Sequence, residues 1–173
     1  MNYKKNSEDI TQGDIIKSCP VPILEEFDIS EEGQNVKAKI ATIDGIVLTQ
    51  ACDIANKKVD NIILCSIISK SEFEEIQRSK NKNEKEISKG ILGIIKDQQN
   101  SYHIINNYKP EEFSQDYYII NFKDIFSIPL DVACAIAKRN GKRLRLCPPY
   151  REHLSQAFAR YFMRVGLPIN ISL

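Results

Sequence analysis

The chain has 173 residues, of which 42% are hydrophobic and 27% charged, and its 24 Lys and Arg against 23 Asp and Glu leave a formal net charge of +1. That length suits one domain with a sizeable core, and the composition is that of an ordinary globular protein rather than a disordered or disulfide-rich one. No apolar run approaches the roughly 20 residues of a membrane-spanning helix, and the polar start Met1–Asp14 lacks the apolar core of a secretion signal, so a cytoplasmic protein is expected.

Gly13-Asp14-Ile15-Ile16 reads as a short opening strand, and Cys19-Pro20-Val21-Pro22 as a stop to regular structure. The acidic run Leu24–Gly33 reads as an exposed loop. Val36–Ile43 alternates as a half-buried strand does, and Asp44-Gly45 signals a turn into the next strand. Ile46-Val47-Leu48 is apolar enough for a central strand, Asp53–Asp60 is polar and turn-forming, and Asn61–Ile68 is the strongest buried strand of the chain. Ser71 with Glu74 three residues on predicts a helix start, and Ser79–Lys89 is either the frayed end of that helix or a loop. Tyr102–Ile105, Tyr117–Phe122 and Ile125–Pro129 predict later strands. Leu130–Arg139 predicts a helix closed at Asn140-Gly141, and Arg143–Cys147 predicts a half-exposed strand with its arginines outward. The final helix is predicted over Tyr150–Val165, with Leu154, Phe158, Tyr161, Phe162 and Val165 as its apolar stripe and His153, Arg160 and Arg164 on another side.

Charge is unevenly placed along this order. Between Lys138 and Arg164 lie eight of the Lys and Arg residues with Glu152 as the one acid, so the remainder of the chain is acidic. A basic segment of this kind either meets a polyanion, with Arg143, Arg145, Arg151, Arg160 and Arg164 as the nucleic-acid-binding candidates, or folds back on its own acidic body.

The five cysteines are odd in number and widely spaced, without a Cys-x-x-Cys pair, so neither a structural zinc site nor any other metal centre is expected. Cys65 and Cys134 sit among apolar neighbours and read as small buried hydrophobes. Cys52 follows the apolar strand within Thr49-Gln50-Ala51-Cys52-Asp53 and is the cysteine placed to reach a site. A thiolate mechanism would need His103 or His153 as base and Asp53 as orienter, yet side chains of consecutive residues on a strand point to opposite faces. No glycine-rich phosphate loop is present. Scission of RNA by its own 2′-hydroxyl needs no cofactor, only an acid, a base and cations near the phosphate. For that chemistry the candidates are Thr49 and Asp53 to orient the sugar, His153 to exchange protons, and Arg145 or Arg164 to hold the phosphate, and all of them would have to share one cleft. The simpler role for Thr49–Asp53 is a turn that satisfies its own backbone.

Gly13-Asp14-Ile15, then Gly45-Ile46-Val47-Leu48-Thr49-Gln50, Asn56 and Asn61-Ile62-Ile63-Leu64-Cys65-Ser66-Ile67 resemble the MazF/PemK toxin family over about Gln12 to Ser69. The resemblance implies a small SH3-like barrel that dimerises, cleaves single-stranded RNA without a metal and is held inactive by an antitoxin peptide. The family's catalytic Arg-Pro pair is replaced here by Asp44-Gly45. Its catalytic Thr or Ser falls on Ile68, with Ser66 and Ser69 nearby. The expectation is therefore a single α+β domain over residues 1–173. It comprises a strongly bent antiparallel SH3-like barrel over 12–129, an inserted helix or loop at 70–100, and a basic helical extension over 130–173. Its expected role is a non-catalytic module of a toxin–antitoxin or defence-type system that binds single-stranded RNA or an acidic protein partner, with a homodimer among the expected assemblies. A metal-independent endoribonuclease with rearranged catalytic residues, and a purely structural interaction module, are the alternatives.

Overall fold

The computed structural model describes residues 9–30, 33–106 and 117–163, and all their side chains except those of 27–30, 33–36 and 106. Within them the chain forms strands β1 (Ile15–Ser30) and β2 (Gly33–Val47), helix α1 (Ala51–Ala55), strand β3 (Asn61–Ser69) and helices α2 (Lys70–Ser79) and α3 (Glu84–Ile95). Strands β4 (Tyr102–Asn106) and β5 (Tyr117–Pro129) and helices α4 (Leu130–Asn140) and α5 (Tyr150–Phe162) complete it. The strands make one antiparallel sheet in the order β1-β2-β3-β5-β4, with β1 and β4 as edges, so the sheet is open among the described residues.

Pleating divides the apolar side chains between two faces. Ile15, Ile46, Cys65, Ile67, Ile105, Ile120 and Phe122 lie on one face, covered by Leu154 and Ala157 of α5 and by Leu144 and Leu146. Ile16, Val47, Ile62, Leu64, Phe126 and Ile128 meet Ala133, Ile136 and Ala137 of α4 on the other. Farther along, α2 and α3 place Phe73, Ile87, Ile91 and Ile94 over Ile119. Each fully buried side chain of this size contributes about 1.5–3 kcal/mol, so α5 is held chiefly by Leu154, which is fully buried.

Several sequence expectations need correction. Pro20 and Pro22 do not stop β1; they pair with Thr42 and Ile40. Residues two apart on a strand direct their backbone N–H the same way, so both missing donors fall on one side of β1, an edge strand, where proline is tolerated. Leu24–Ser30 of the acidic run is not a loop but part of β1, where Glu25 and Glu26 pair with Lys39 and Lys37 at 2.5 and 3.6 Å; Glu31 and Glu32 lie outside the described residues. Asp44-Gly45 is not a turn, because β2 runs through it and Gly45 pairs with Ser66 of β3. Helix α2 is capped two residues earlier than expected. Ser69 Oγ accepts from Glu72 N at 3.1 Å and Glu72 Oε2 accepts from Ser69 N at 2.7 Å, whereas Glu74 pairs with Lys70 and Arg78. The stretch Ser79–Lys89 enters a true helix, α3, capped by Asn83 and Glu86.

Arg143–Cys147 does lie extended, beside Gly13–Ile15: Leu144 O accepts from Ile15 N at 2.9 Å and Gly13 O accepts from Leu146 N at 3.0 Å. Its arginines do not point outward, however. On α5 the buried stripe is Leu154 and Ala157 with half-buried Phe158 and Tyr161, while Phe162 is 55% exposed; Val165 lies outside the described residues. Cys65 is fully buried as expected, but Cys134 is on the exposed side of α4. No helix among the described residues is long and apolar enough to cross a membrane.

Candidate functional site

Where β2 ends, Leu48 N donates to Ile63 O at 2.9 Å and keeps the chain against β3 for one more residue. Thr49 Oγ1 then accepts from Ile63 N at 2.7 Å. Gln50 begins α1, which sets Asp53 beside the end of the sheet. Opposite this corner runs α5, fixed by Leu154 beneath it. Between them lies a cleft of about 430 Å³ with Leu48, Val59 and Ile63 as apolar surfaces, Thr49, Gln50, Asp53 and Asn61 on one side, and Ser155, Phe158 and Ala159 on the other. Gln12 spans the corner: its Nε2 donates to Leu48 O at 3.1 Å and to Ser155 Oγ at 2.9 Å.

The structure thus brings Thr49 and Asp53 into one cleft with α5. It does not bring the other candidates there. His153 is exposed, packs its ring edge against Tyr150 at 6.0 Å between centroids, and does not line the cleft. Cys52 is exposed on α1, not on a strand, and its thiol donates to Asp53 Oδ1 at 3.6 Å and Gln50 Oε1 at 3.7 Å. His103 on β4 stacks near Phe122 at 6.2 Å, and burial pushes its imidazole down to about 4, so it is neutral at pH 7.

The arginines are largely answered by carboxylates. Asp14 is fully buried; its Oδ2 accepts from Arg143 Nε at 2.8 Å and from Arg145 Nη2 at 3.0 Å, and its Oδ1 accepts from Arg145 Nε. Arg143 is itself buried. This clasp ties the start of β1 to the segment before α5, and Gly13, at φ +82°, turns the chain into it with Leu146 packed 3.1 Å from where a Cβ would stand. Arg151 pairs with Glu152 at 2.8 Å and Arg160 with Asp97 of the α3–β4 connection at 2.8 Å. Arg164 lies outside the described residues. For these residues the basic segment folds back on acids of its own chain.

Sequence reasoning overlooked Gln12, Gln50 and Ser155. Two of them had a local sign: Gln12 adjoins the Gly13-Asp14 turn, and Gln50 stands in the same run as Thr49 and Asp53. Ser155 had none, since only the docking of α5 carries it to the cleft. Among the described residues no three His, Cys, Asp or Glu side chains gather closely enough to hold a metal. Among the described residues the cleft offers amides, hydroxyls and one carboxylate around apolar and aromatic surface, and no cation lines it. It can orient an uncharged planar or hydroxyl-rich group by hydrogen bonds, but it places no proton-transfer pair on a reacting atom. No protein-family model matches the sequence, and no curated protein matches it.

Proposed function

We propose that the chain is a non-catalytic binding module for single-stranded RNA, acting in the cytoplasm in a toxin–antitoxin or defence-type system. In this reading its open five-stranded sheet is a variant of the MazF/PemK-like SH3-like barrel. The observation that carries the reading is the cleft itself, in which Thr49, Gln50 and Asp53 meet Ser155 and Phe158 across an apolar floor. Unstacked bases are recognised by this combination: aromatic or apolar contact on the face and amide, hydroxyl or carboxylate groups on the edge. A catalytic role is disfavoured because His153 stands outside the cleft and the guanidinium groups of Arg143 and Arg145 are engaged by Asp14.

Filling the cleft tests the reading. Ala159 is exposed on its wall, so Ala159→Trp occupies the space without disturbing the core. Base stacking is worth about 1–3 kcal/mol per base, so fluorescence anisotropy with a labelled mixed-sequence RNA should show affinity falling about tenfold or more. Unchanged RNA affinity would overturn the assignment of this cleft, and preferential binding of an acidic peptide would favour the protein-partner alternative.

A further inference from the structure

The cleft beside Thr49 and Asp53 has a neighbour. Val59 and Asn61, which line it, also line a second cleft of about 720 Å³, together with Lys57, Asp60, Leu130 and Asp131. The backbone holds this shared partition in place. Lys58 N donates to Asp53 O at 2.9 Å and closes the turn after α1, in which Lys57 takes φ +50°. Asn61 then pairs with Pro129 at the start of β3, and Asp60 O accepts from Leu130 N at 2.8 Å, so the turn is tied to the first residue of α4.

Charge is unevenly placed around the pair. Asp53 lines the first cleft and Asp60 and Asp131 the second, while Lys57 is the one cation among the described residues that line either. Asp131 Oδ1 accepts from Val132 N at 2.8 Å in the first turn of α4, and Asp53 Oδ1 takes the weak thiol donor of Cys52 at 3.6 Å. A phosphate inside either cleft would be repelled by these carboxylates. An RNA strand lying here therefore turns its bases inward and its phosphates to solvent. A carboxylate accepts hydrogen bonds and donates none. It suits a base edge that carries an exocyclic amino group, as cytosine does at N4, and opposes the carbonyl oxygen that uracil carries at the same place.

We propose that the RNA strand passes from the first cleft into the second over Val59 and Asn61, and that Asp53 and Asp60 select amino-bearing bases at two neighbouring positions, cytosine over uracil among the pyrimidines. This selection rests on the reading of the first cleft as an RNA site, and adds to it a base preference and a second position. Cytosine and uracil share one ring size, so comparing them isolates the amino donor. Replacing either Asp by Asn keeps the side chain's shape and adds a donor beside its acceptor. The amide then serves both bases, and the preference is lost without emptying the site.

Fluorescence anisotropy of the full chain with three labelled RNA heptamers tests it: all uridine, uridine with one central cytidine, and uridine with two adjacent central cytidines. The first cytidine should raise affinity about threefold to tenfold, the range of one net hydrogen bond, and the second should raise it again. In Asp60→Asn or Asp53→Asn one of the two gains should vanish, and the double variant should bind all three heptamers alike. Glu75→Gln, at an exposed acid on α2, should change neither gain. A second cytidine that adds nothing would overturn the passage through both clefts. Equal affinity of the native chain for all three heptamers, or gains that survive the double variant, would overturn the selection. In those cases, binding that Ala159→Trp still weakens leaves the reading of the first cleft standing. Heptamers that do not bind, or that Ala159→Trp leaves unaffected, would overturn both.

Discussion

His103 shows how one residue's burial sets a pH response. Its imidazole is pushed down to about 4 chiefly by burial; Asp97 opposes the shift, and Arg160 and His153 add to it. Between about pH 4 and the ordinary value near 6.5 the unfolded chain holds a proton on this ring that the folded chain does not, so stability rises with pH across that window. The contribution present at neutral pH is up to about 3 kcal/mol. It should be lost as pH falls from 6.5 to 4. Urea unfolding of His103→Phe, which keeps a ring beside Phe122, should give a flatter stability profile over that range; a slope equal to that of the native chain would contradict this role. The buried thiols follow the same physics in the other direction. Burial, with Asp44 and Asp124 as smaller contributors, pushes Cys19 up to about 11 and Cys65 up to about 12. Cys65 was legible as a buried residue from its apolar run. Cys134 was not, because helical spacing turns Ala133, Ile136 and Ala137 inward and Cys134 outward.

Elements were legible where one local rule acted alone and misread where two competed. The apolar run of β3 and the helix ending at Gly141 follow directly from pattern and capping, whereas the two strands expected at Tyr117–Phe122 and Ile125–Pro129 are one strand, β5, whose pairing with β3 continues across an irregularity between Cys65 and Ser66. Ser69 and Ser71 each have Glu three residues on, so the capping rule could not choose between them; the pairing of Ser69 with Tyr118 carries β3 up to the helix and decides it. Asn83 with Glu86 was the overlooked signal for α3, followed by Ile87, Ile91 and Ile94 on one face. Gly45 is the sharpest case. A Cβ there would stand 2.7 Å from Phe126 Cζ and 3.0 Å from Leu64 Cδ2, so the glycine serves close packing within the sheet rather than a turn. Gly45→Ala should therefore destabilise the fold by about 1–3 kcal/mol through overpacking, measured as a lower urea midpoint at unchanged slope. An unchanged midpoint would mean that Phe126 yields without strain.

At the scale of the whole molecule, the charge asymmetry visible in the sequence is resolved mainly by internal pairing. Asp14 answers two arginines, and Asp97 answers a third on α5. Such partners are far apart in sequence, and no spacing rule finds them. The same holds for the first cleft: Thr49 and Asp53 were legible as neighbours, but the wall supplied by Ser155 and Phe158 exists only because Leu154 docks α5 on the sheet. What remains exposed of the basic segment includes Lys138, Arg139 and Lys142 at the end of α4, which are better placed to meet phosphate than Arg143, whose side chain is buried on Asp14. Binder and enzyme are separated by a single incubation of the purified chain with end-labelled, mixed-sequence single-stranded RNA in EDTA at low salt, reading retained and cleaved RNA from the same sample. The expected result is retained, full-length RNA, with retention lost as salt rises. RNA fragments ending in a 2′,3′-cyclic phosphate that disappear with His153→Ala would contradict it.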